Sequence, residues 1–541
     1  MPHLQADVLV IGGGATGAGI AWDAALRGFD TILVERADLA TGTTGRFHGL
    51  LHSGGRYAVK DPDAARECIQ ENMVLRRIAA GSIEDTGGLF VTTPGDDPAF
   101  ADRLVQGCRE TGVPIEEIPV AAALREEPRL NPGITRAFRV PDASIDVWLL
   151  TNGLARGAAE RGARILPYHE VVAVHRDDGA VTGVRVHNHV TGEDLDIEAG
   201  FTINASGAWA AQVCEMAGIE GVGIVPGKGI MIAMNHRLVN TVVNRCIPPA
   251  DGDIIVPIRT VSVIGTTDVH VTDPDDHEIS QDEVDQMLDA GEQLVPGFRR
   301  ARALRVWTGA RPLFRDEKAD HTSDREISRA HTLLDHLERD GVARFLTITS
   351  GKLTTYRLMA KDTVDGMCRQ LGVDRPTATA ETPLPDYRNR VPFHLGGRLR
   401  YKEDNLLEEQ LVCECEYVPR GWLEEHVRVS GTTNLDDLRR SLRLGMGPCQ
   451  GGFCMYRATG IVQSLEELDA TAADTALRNF LQERWKGVWP ILYGDQLRQA
   501  RLDDWIFQGV LDVEHVPGDG LPDAGAHGRR TARAHMSDGD A

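Results

Sequence analysis

Two groups of residues in this sequence have types and spacings suited to chemistry: a glycine-rich run near the start and four cysteines near the end. The run Gly12-Gly13-Gly14-Ala15-Thr16-Gly17 has the form G-x-G-x-x-G. Glycine at these positions permits a tight turn and lets backbone N–H groups approach a pyrophosphate. Glu35 follows Gly12 by 23 residues, where an acidic side chain can accept ribose hydroxyls. The pattern serves FAD and NAD alike, since both carry adenosine diphosphate. No second strand-bounded copy follows for a nicotinamide dinucleotide, so if the single site holds FAD, electrons must leave by another route.

The cysteines offer one. Cys413-Glu414-Cys415 is followed, after a gap of 33 residues, by Cys449-Gln450-Gly451-Gly452-Phe453-Cys454. Four thiolates on two short loops satisfy one small metal centre. Zinc accepts the same four ligands, but C-x-C is not the usual zinc-knuckle spacing, and a [2Fe–2S] cluster is the favoured reading over zinc. Glycines around Cys449 free backbone N–H groups for cluster sulfurs, which tunes potential. Cys68, Cys108, Cys214, Cys246 and Cys368 stand singly and read as small buried hydrophobes.

The elements that must position these residues follow from periodicity. Asp7–Ile11 reads as a buried strand, Ala15–Arg27 as a helix and Thr31–Glu35 as a second strand, so the glycine run joins strand to helix. Alternating strand-like and helix-like patterns up to about residue 360 indicate an α/β or α+β enzyme. We expect an oxidoreductase core over 1–380, a linker over 381–409, a cysteine domain over 410–460, a helical segment over 461–516 and a disordered tail over 517–541.

Composition narrows the partners. At 541 residues the chain exceeds one ordinary core. A net charge of −22 argues against nucleic acid. Seven Lys stand against 51 Arg, an acid-rich, Lys-poor balance seen in salt-loving microbes and in high-GC genomes. The N-terminus lacks the basic and apolar regions of a secretory signal, and no run approaches about 18 apolar residues. Nine cysteines without regular spacing suit a reducing cytosol. The chain is therefore expected to be cytoplasmic, with any membrane association coming through partners.

Several longer motifs resemble one family. The loop Gly42-Thr43-Thr44-Gly45-Arg46-Phe47-His48-Gly49-Leu50-Leu51-His52-Ser53-Gly54-Gly55-Arg56-Tyr57 is similar to that of FAD-dependent glycerol-3-phosphate dehydrogenases, most closely the catalytic A subunits of the anaerobic three-subunit enzymes. The likeness continues through Asn204–Trp209, Pro226–Gly229, Ile264–Asp268, Gly309–Leu313, Ser350–Arg357, the cysteine domain and Glu483–Gly487. It covers nearly the whole chain except the tail. The core also looks like the wider D-amino-acid and sarcosine oxidase group. That resemblance implies an FAD-binding Rossmann-like domain interleaved with an antiparallel-sheet substrate domain, plus a small C-terminal four-cysteine [2Fe–2S] domain.

The resemblance further implies oxidation of sn-glycerol 3-phosphate to dihydroxyacetone phosphate, with electrons passing to a B subunit, a membrane-bound C subunit, then quinone. A dianionic phosphate calls for guanidinium forks, and the C2 hydroxyl needs a proton acceptor. Arg56, Tyr57, Arg311 and Arg329 occupy family positions for the substrate, and His52 is the candidate base. Lys352 is placed to stabilise negative charge on reduced flavin. The same motifs assign Gly12, Gly14, Ala15, Thr16, Gly17, Glu35, Thr43, Thr44, His48, Gly207, Gly351, Leu353 and Thr354 to the cofactor, and Cys413, Cys415, Cys449 and Cys454 to the metal centre. Single-subunit aerobic relatives carry a His after Lys228-Gly229, whereas this chain has Ile230-Met231, a feature shared with the anaerobic A subunits. Competing expectations are one subunit of an amino-acid or opine dehydrogenase, and a flavoprotein whose cysteine domain is a structural zinc or assembly module.

Overall fold

The computed structural model describes residues 3–316, 330–385, 395–405 and 409–510. The chain divides into two compact units, Met1–Leu407 and Glu408–Ala541.

In the first unit, the strand β1 (His3–Ile11), the helix α1 (Ala15–Leu26) and the strand β2 (Thr31–Val34) form the opening β-α-β. Three later strands also bear on the site: β3 (Asp194–Asn204), β4 (Val222–Asn235) and β5 (Ala303–Asp316). They are followed by β6 (Phe345–Ser350) and the helix α2 (Tyr356–Leu371). β1 lies between β2 and β3, parallel to both, with Ile11 level with Val34 and with Asn204. β6 continues the parallel set beyond β3, Asn204 facing Thr347.

The apolar run of β1 is explained by burial on both faces. Val8 and Val10 join one core cluster with α1 and α2, while Leu9 and Ile11 join another on the opposite face. Such two-sided burial is what a covered parallel sheet requires, and it removes the hydrophobic-polar alternation. α1 is small on the side that meets α2: a Cβ on Gly19 would sit 3.0 Å from the Tyr356 ring. The expected boundaries shift by one to four residues, since β1 begins at His3 and α1 ends at Leu26, leaving Arg27 as its cap.

The second sheet has nine strands. Its long antiparallel arms are β4 and β5, in register from Val222–Asp316 through Gly227–Arg311 to Met234–Ala303. The sheet is mixed and not wholly antiparallel, because Val242–Arg245 runs parallel to Gly88–Thr92. Within 381–409, the described residues include the helix Leu395–Asn405. The tail from 511 onward lies outside the described residues.

The second unit begins with a short hairpin, Leu411–Cys413 against Val418–Pro419. Helices α3 (Arg420–Ser430), α4 (Leu435–Leu442), α5 (Cys454–Leu465) and α6 (Ala470–Val488) follow. Val412, Leu423, Leu438, Met455, Val462 and Phe480 meet in one core. α6 stops at Trp489-Pro490, and the chain goes on as short helical turns up to Val510. A proline there removes an amide donor, which ends a continuous helix.

Candidate active site and cysteine centre

The glycine run forms a cradle that side chains would fill. Gly12 has φ +108°, and a Cβ on it would lie 2.6 Å from Ala205 O; a Cβ on Gly17 would lie 1.9 Å from Gly12 O. α1 therefore starts hard against the end of β1. Gly14 is its N-cap and offers no side-chain acceptor. Open amides and the helix dipole at such a terminus suit a pyrophosphate. Ala15 N donates to Thr44 Oγ1 at 3.1 Å, which ties the helix start to the loop 42–57. Thr16 Oγ1 reaches Met359 Sδ at 3.8 Å.

Glu35 stands just past β2 with both oxygens engaged. Oε2 accepts from Gly13 N at 2.7 Å and Oε1 from Ala37 N at 3.0 Å. Burial raises its pKa, and these two amides pull the other way. The carboxylate thus fixes the glycine loop from below and lines the same cavity.

That cavity is about 380 Å³. Gly12, Gly14, Ala15, Thr16 and Glu35 line it together with Thr43, Thr44, Gly207, Gly351, Lys352 and Leu353. Tyr356 also lines it. A glycine cradle at a helix start and an acidic residue just past the second strand, both lining one cavity, together fit an FAD.

Beyond Lys352 lies a polar cluster. Lys352 Nζ sits 5.1 Å from the Tyr57 ring centre, and the Tyr57 ring is 5.3 Å from that of His52. His52 is 6.0 Å from His48, edge to face at 72°. The backbone of His52 is pinned by its N–H to Thr354 Oγ1 at 3.1 Å. Thr43 Oγ1 donates to Ala310 O at 2.6 Å, joining the loop to β5 one residue before Arg311.

The two described arginines of the cluster are held by acids. Arg56 pairs with the buried Asp253 and donates to Ala250 O at 3.2 Å. Arg311 pairs with Asp268 at 3.0 Å and donates to Thr267 O at 3.1 Å and to Thr266 Oγ1. Both act on His48, whose pKa is pushed down to about 3 by burial first and then by Arg56 and Arg311. The sequence therefore names the cationic members of the cluster and includes Asp268 in the motif Ile264–Asp268, though without a role, but it does not single out Asp253, which fixes Arg56. In a chain with 80 acidic residues, nothing local distinguishes Asp253. Arg329 lies outside the described residues.

In the second unit, Cys415 Sγ and Cys449 Sγ are 3.9 Å apart, and the Cys454 thiol interacts with both Cys413 and Cys449. Backbone N–H groups turn towards the sulfurs: Glu416 and Gly445 towards Cys413, Gly451 and Phe453 towards Cys449, and Cys449 towards Cys415. Gly445 and Gly451 have φ +69° and +92°, conformations that a side chain disfavours. Cys413 also acts on Cys415, so each of the four thiols has two of the others as neighbours. Among the described residues, no three His, Cys, Asp or Glu side chains are grouped to hold a single metal ion. Four neighbouring thiols with backbone N–H donors turned towards three of them fit a small metal centre. The five single cysteines are all buried, and burial pushes the Cys68 and Cys108 thiols up to about 12.

Comparison with known proteins yields a consistent group. Residues 7–364 match the family described as FAD dependent oxidoreductase. The A subunit of the anaerobic glycerol-3-phosphate dehydrogenase of Escherichia coli (strain K12) is 44% identical, the match covering 96% of this chain and 99% of that protein. The A1 subunit of the Haloferax volcanii enzyme is 41% identical over 99% of this chain and 98% of its own. Among solved structures, the glycerol-3-phosphate dehydrogenase of Bacillus halodurans, complexed with FAD, matches with a TM-score of 0.65 at 22% identity. That match spans 91% of this chain and 96% of the other.

Proposed function

This chain belongs to the FAD dependent oxidoreductase family and, within it, to the A subunits of anaerobic glycerol-3-phosphate dehydrogenases; from that membership we propose that it oxidises sn-glycerol 3-phosphate to dihydroxyacetone phosphate. The observation that carries the reading is the pair Arg56 and Arg311, both acting on one neutral histidine beside a dinucleotide cavity. Two fixed guanidinium forks suit a phosphate dianion better than a carboxylate monoanion.

The chain's own residues divide the work. Arg56, Tyr57 and Arg311, with Arg329, hold the phosphate and so orient the glycerol carbon chain. His52, pinned through its backbone to Thr354, accepts the C2 hydroxyl proton. Lys352 stands between this cluster and the cavity, where an ammonium offsets negative charge that develops during oxidation. Bound FAD supplies the two-electron acceptor for the hydride leaving C2. Gly12, Gly14, Ala15, Thr16 and Gly17 would hold its pyrophosphate, Glu35 its ribose, and Thr43, Thr44, Gly207, Gly351, Leu353 and Thr354 the rest.

Cys413, Cys415, Cys449 and Cys454 would hold a [2Fe–2S] cluster, which supplies one-electron transfer to partners. We infer that those partners are a B subunit with a membrane-bound C subunit feeding quinone, through which the chain attaches to the inner face of the cell membrane. Among the described residues, no helix is long and apolar enough to cross a membrane.

The test is turnover by the FAD-loaded protein with an artificial electron acceptor, comparing sn-glycerol 3-phosphate, glycerol and a set of amino acids. Activity is expected with the phosphorylated substrate alone. Activity with an amino acid and none with the phosphate would overturn the proposal.

A further inference from the structure

We propose that His48 is a substrate-facing hydrogen-bond donor, fixed in its Nε2–H tautomer, that reads the anionic end of the substrate alongside Arg56 and Arg311. The inference rests on the glycerol-phosphate reading and gives a role within that site to a residue that motif likeness assigns to the cofactor. Its first support is a hydrogen bond: Leu50 N donates to His48 Nδ1 at 3.2 Å. An amide N–H can only donate, so Nδ1 carries the lone pair, and in a neutral ring the proton sits on Nε2. The turn that allows this bond from residue 50 back to residue 48 passes through Gly49 at φ +82°, where a Cβ would also lie 2.6 Å from Ile258 Cδ1.

The second support is placement. Arg46 and Phe47 line the dinucleotide cavity, but His48 does not. Its ring turns instead towards His52 and lies within the fields of Arg56 and Arg311. Among the described residues, no group is hydrogen-bonded to Nε2. Two guanidinium charges and burial oppose a second proton on the ring, in keeping with a pKa of about 3. His48 therefore cannot serve as proton acceptor: its one acceptor nitrogen is taken, and an imidazolium would face two cations. What remains is a directional N–H that adds no charge. A phosphate oxygen, an acceptor only, matches it; a substrate without an oxygen there leaves the donor unpaired.

The experiment compares two replacements in the full-length, FAD-loaded protein. His48→Asn retains an acceptor for Leu50 N–H and lacks the outer donor, while His48→Gln places an amide N–H near the Nε2 position. The KM for sn-glycerol 3-phosphate is expected to rise about tenfold or more in His48→Asn with kcat little changed, and most of that loss is expected to be recovered in His48→Gln. Affinity for inorganic phosphate, followed through the flavin spectrum, is expected to rank the proteins in the same order. Equal constants in all three proteins would overturn the proposal. So would a fall in kcat without a rise in KM, or a histidine ¹⁵N spectrum placing the proton on Nδ1. Should the wild type fail to oxidise sn-glycerol 3-phosphate, the functional reading falls, and the phosphate affinities and the ¹⁵N spectrum still decide the donor role.

Discussion

Arg311 reaches the cluster already bound to Asp268, Thr266 and Thr267, so its guanidinium is oriented before substrate arrives. Orientation in advance reduces the ordering cost of binding. A lysine there keeps the charge and loses the fork. Arg311→Lys is therefore expected to raise KM for a phosphorylated substrate by about tenfold to a hundredfold, as steady-state kinetics would record. His48 gives a pH prediction. In the unfolded chain its imidazole takes a proton near pH 6.5, but in the fold not until about 3. Between those values the unfolded state binds more protons, so stability is lost as pH falls from about 6.5 towards 3. His48→Gln is expected to remove that contribution, on the order of 1–2 kcal/mol at pH 5, while equal unfolding profiles from pH 7.5 to 5 would refute it. The cationic and imidazole groups of this cluster were legible in the sequence, because they fall in long motifs. Asp253 was not legible, nor was the pairing of the motif residue Asp268 with Arg311, because which acid meets which base depends on how distant segments pack rather than on neighbouring residues.

At the scale of elements, the cradle depends on how closely α1 starts against β1. With a Cβ on Gly17 only 1.9 Å from Gly12 O, the loop must open if any side chain is added. Gly17→Val is expected to lower the FAD-to-protein ratio of the purified chain to about a tenth of wild type or less while far-UV circular dichroism is retained. A full flavin complement would contradict this reading of the loop. The strand-turn-helix around the glycines could be read directly, since burial on both faces gives β1 an unbroken apolar run. Harder to read was the mixed second sheet: the parallel pairing of Val242–Arg245 with Gly88–Thr92 joins strands about 150 residues apart, and strand periodicity carries no direction. Similarly, the helix Leu395–Asn405 has a polar, charged sequence without an apolar stripe, so periodicity could not reveal it.

At the scale of the whole molecule, two kinds of electron chemistry are assigned to two compact units of one chain. The proposed function gives oxidation of the substrate to the first and onward transfer to the cysteine unit. Removing one thiol should therefore separate them. Cys415→Ser is expected to abolish the iron–sulfur absorbance and its electron paramagnetic resonance signal, while reduction of the flavin by substrate continues within about threefold of the wild-type rate. Equal loss of both would mean that the cysteine unit supports the first unit structurally and is not only a relay. The most direct measurement of substrate oxidation coupled to a relay is anaerobic addition of sn-glycerol 3-phosphate to the purified full-length protein, followed in the visible spectrum. Bleaching of the flavin band near ~450 nm is expected, followed by loss of iron–sulfur absorbance. A flavin that stays oxidised with sn-glycerol 3-phosphate, yet bleaches with an amino acid, would contradict the assignment.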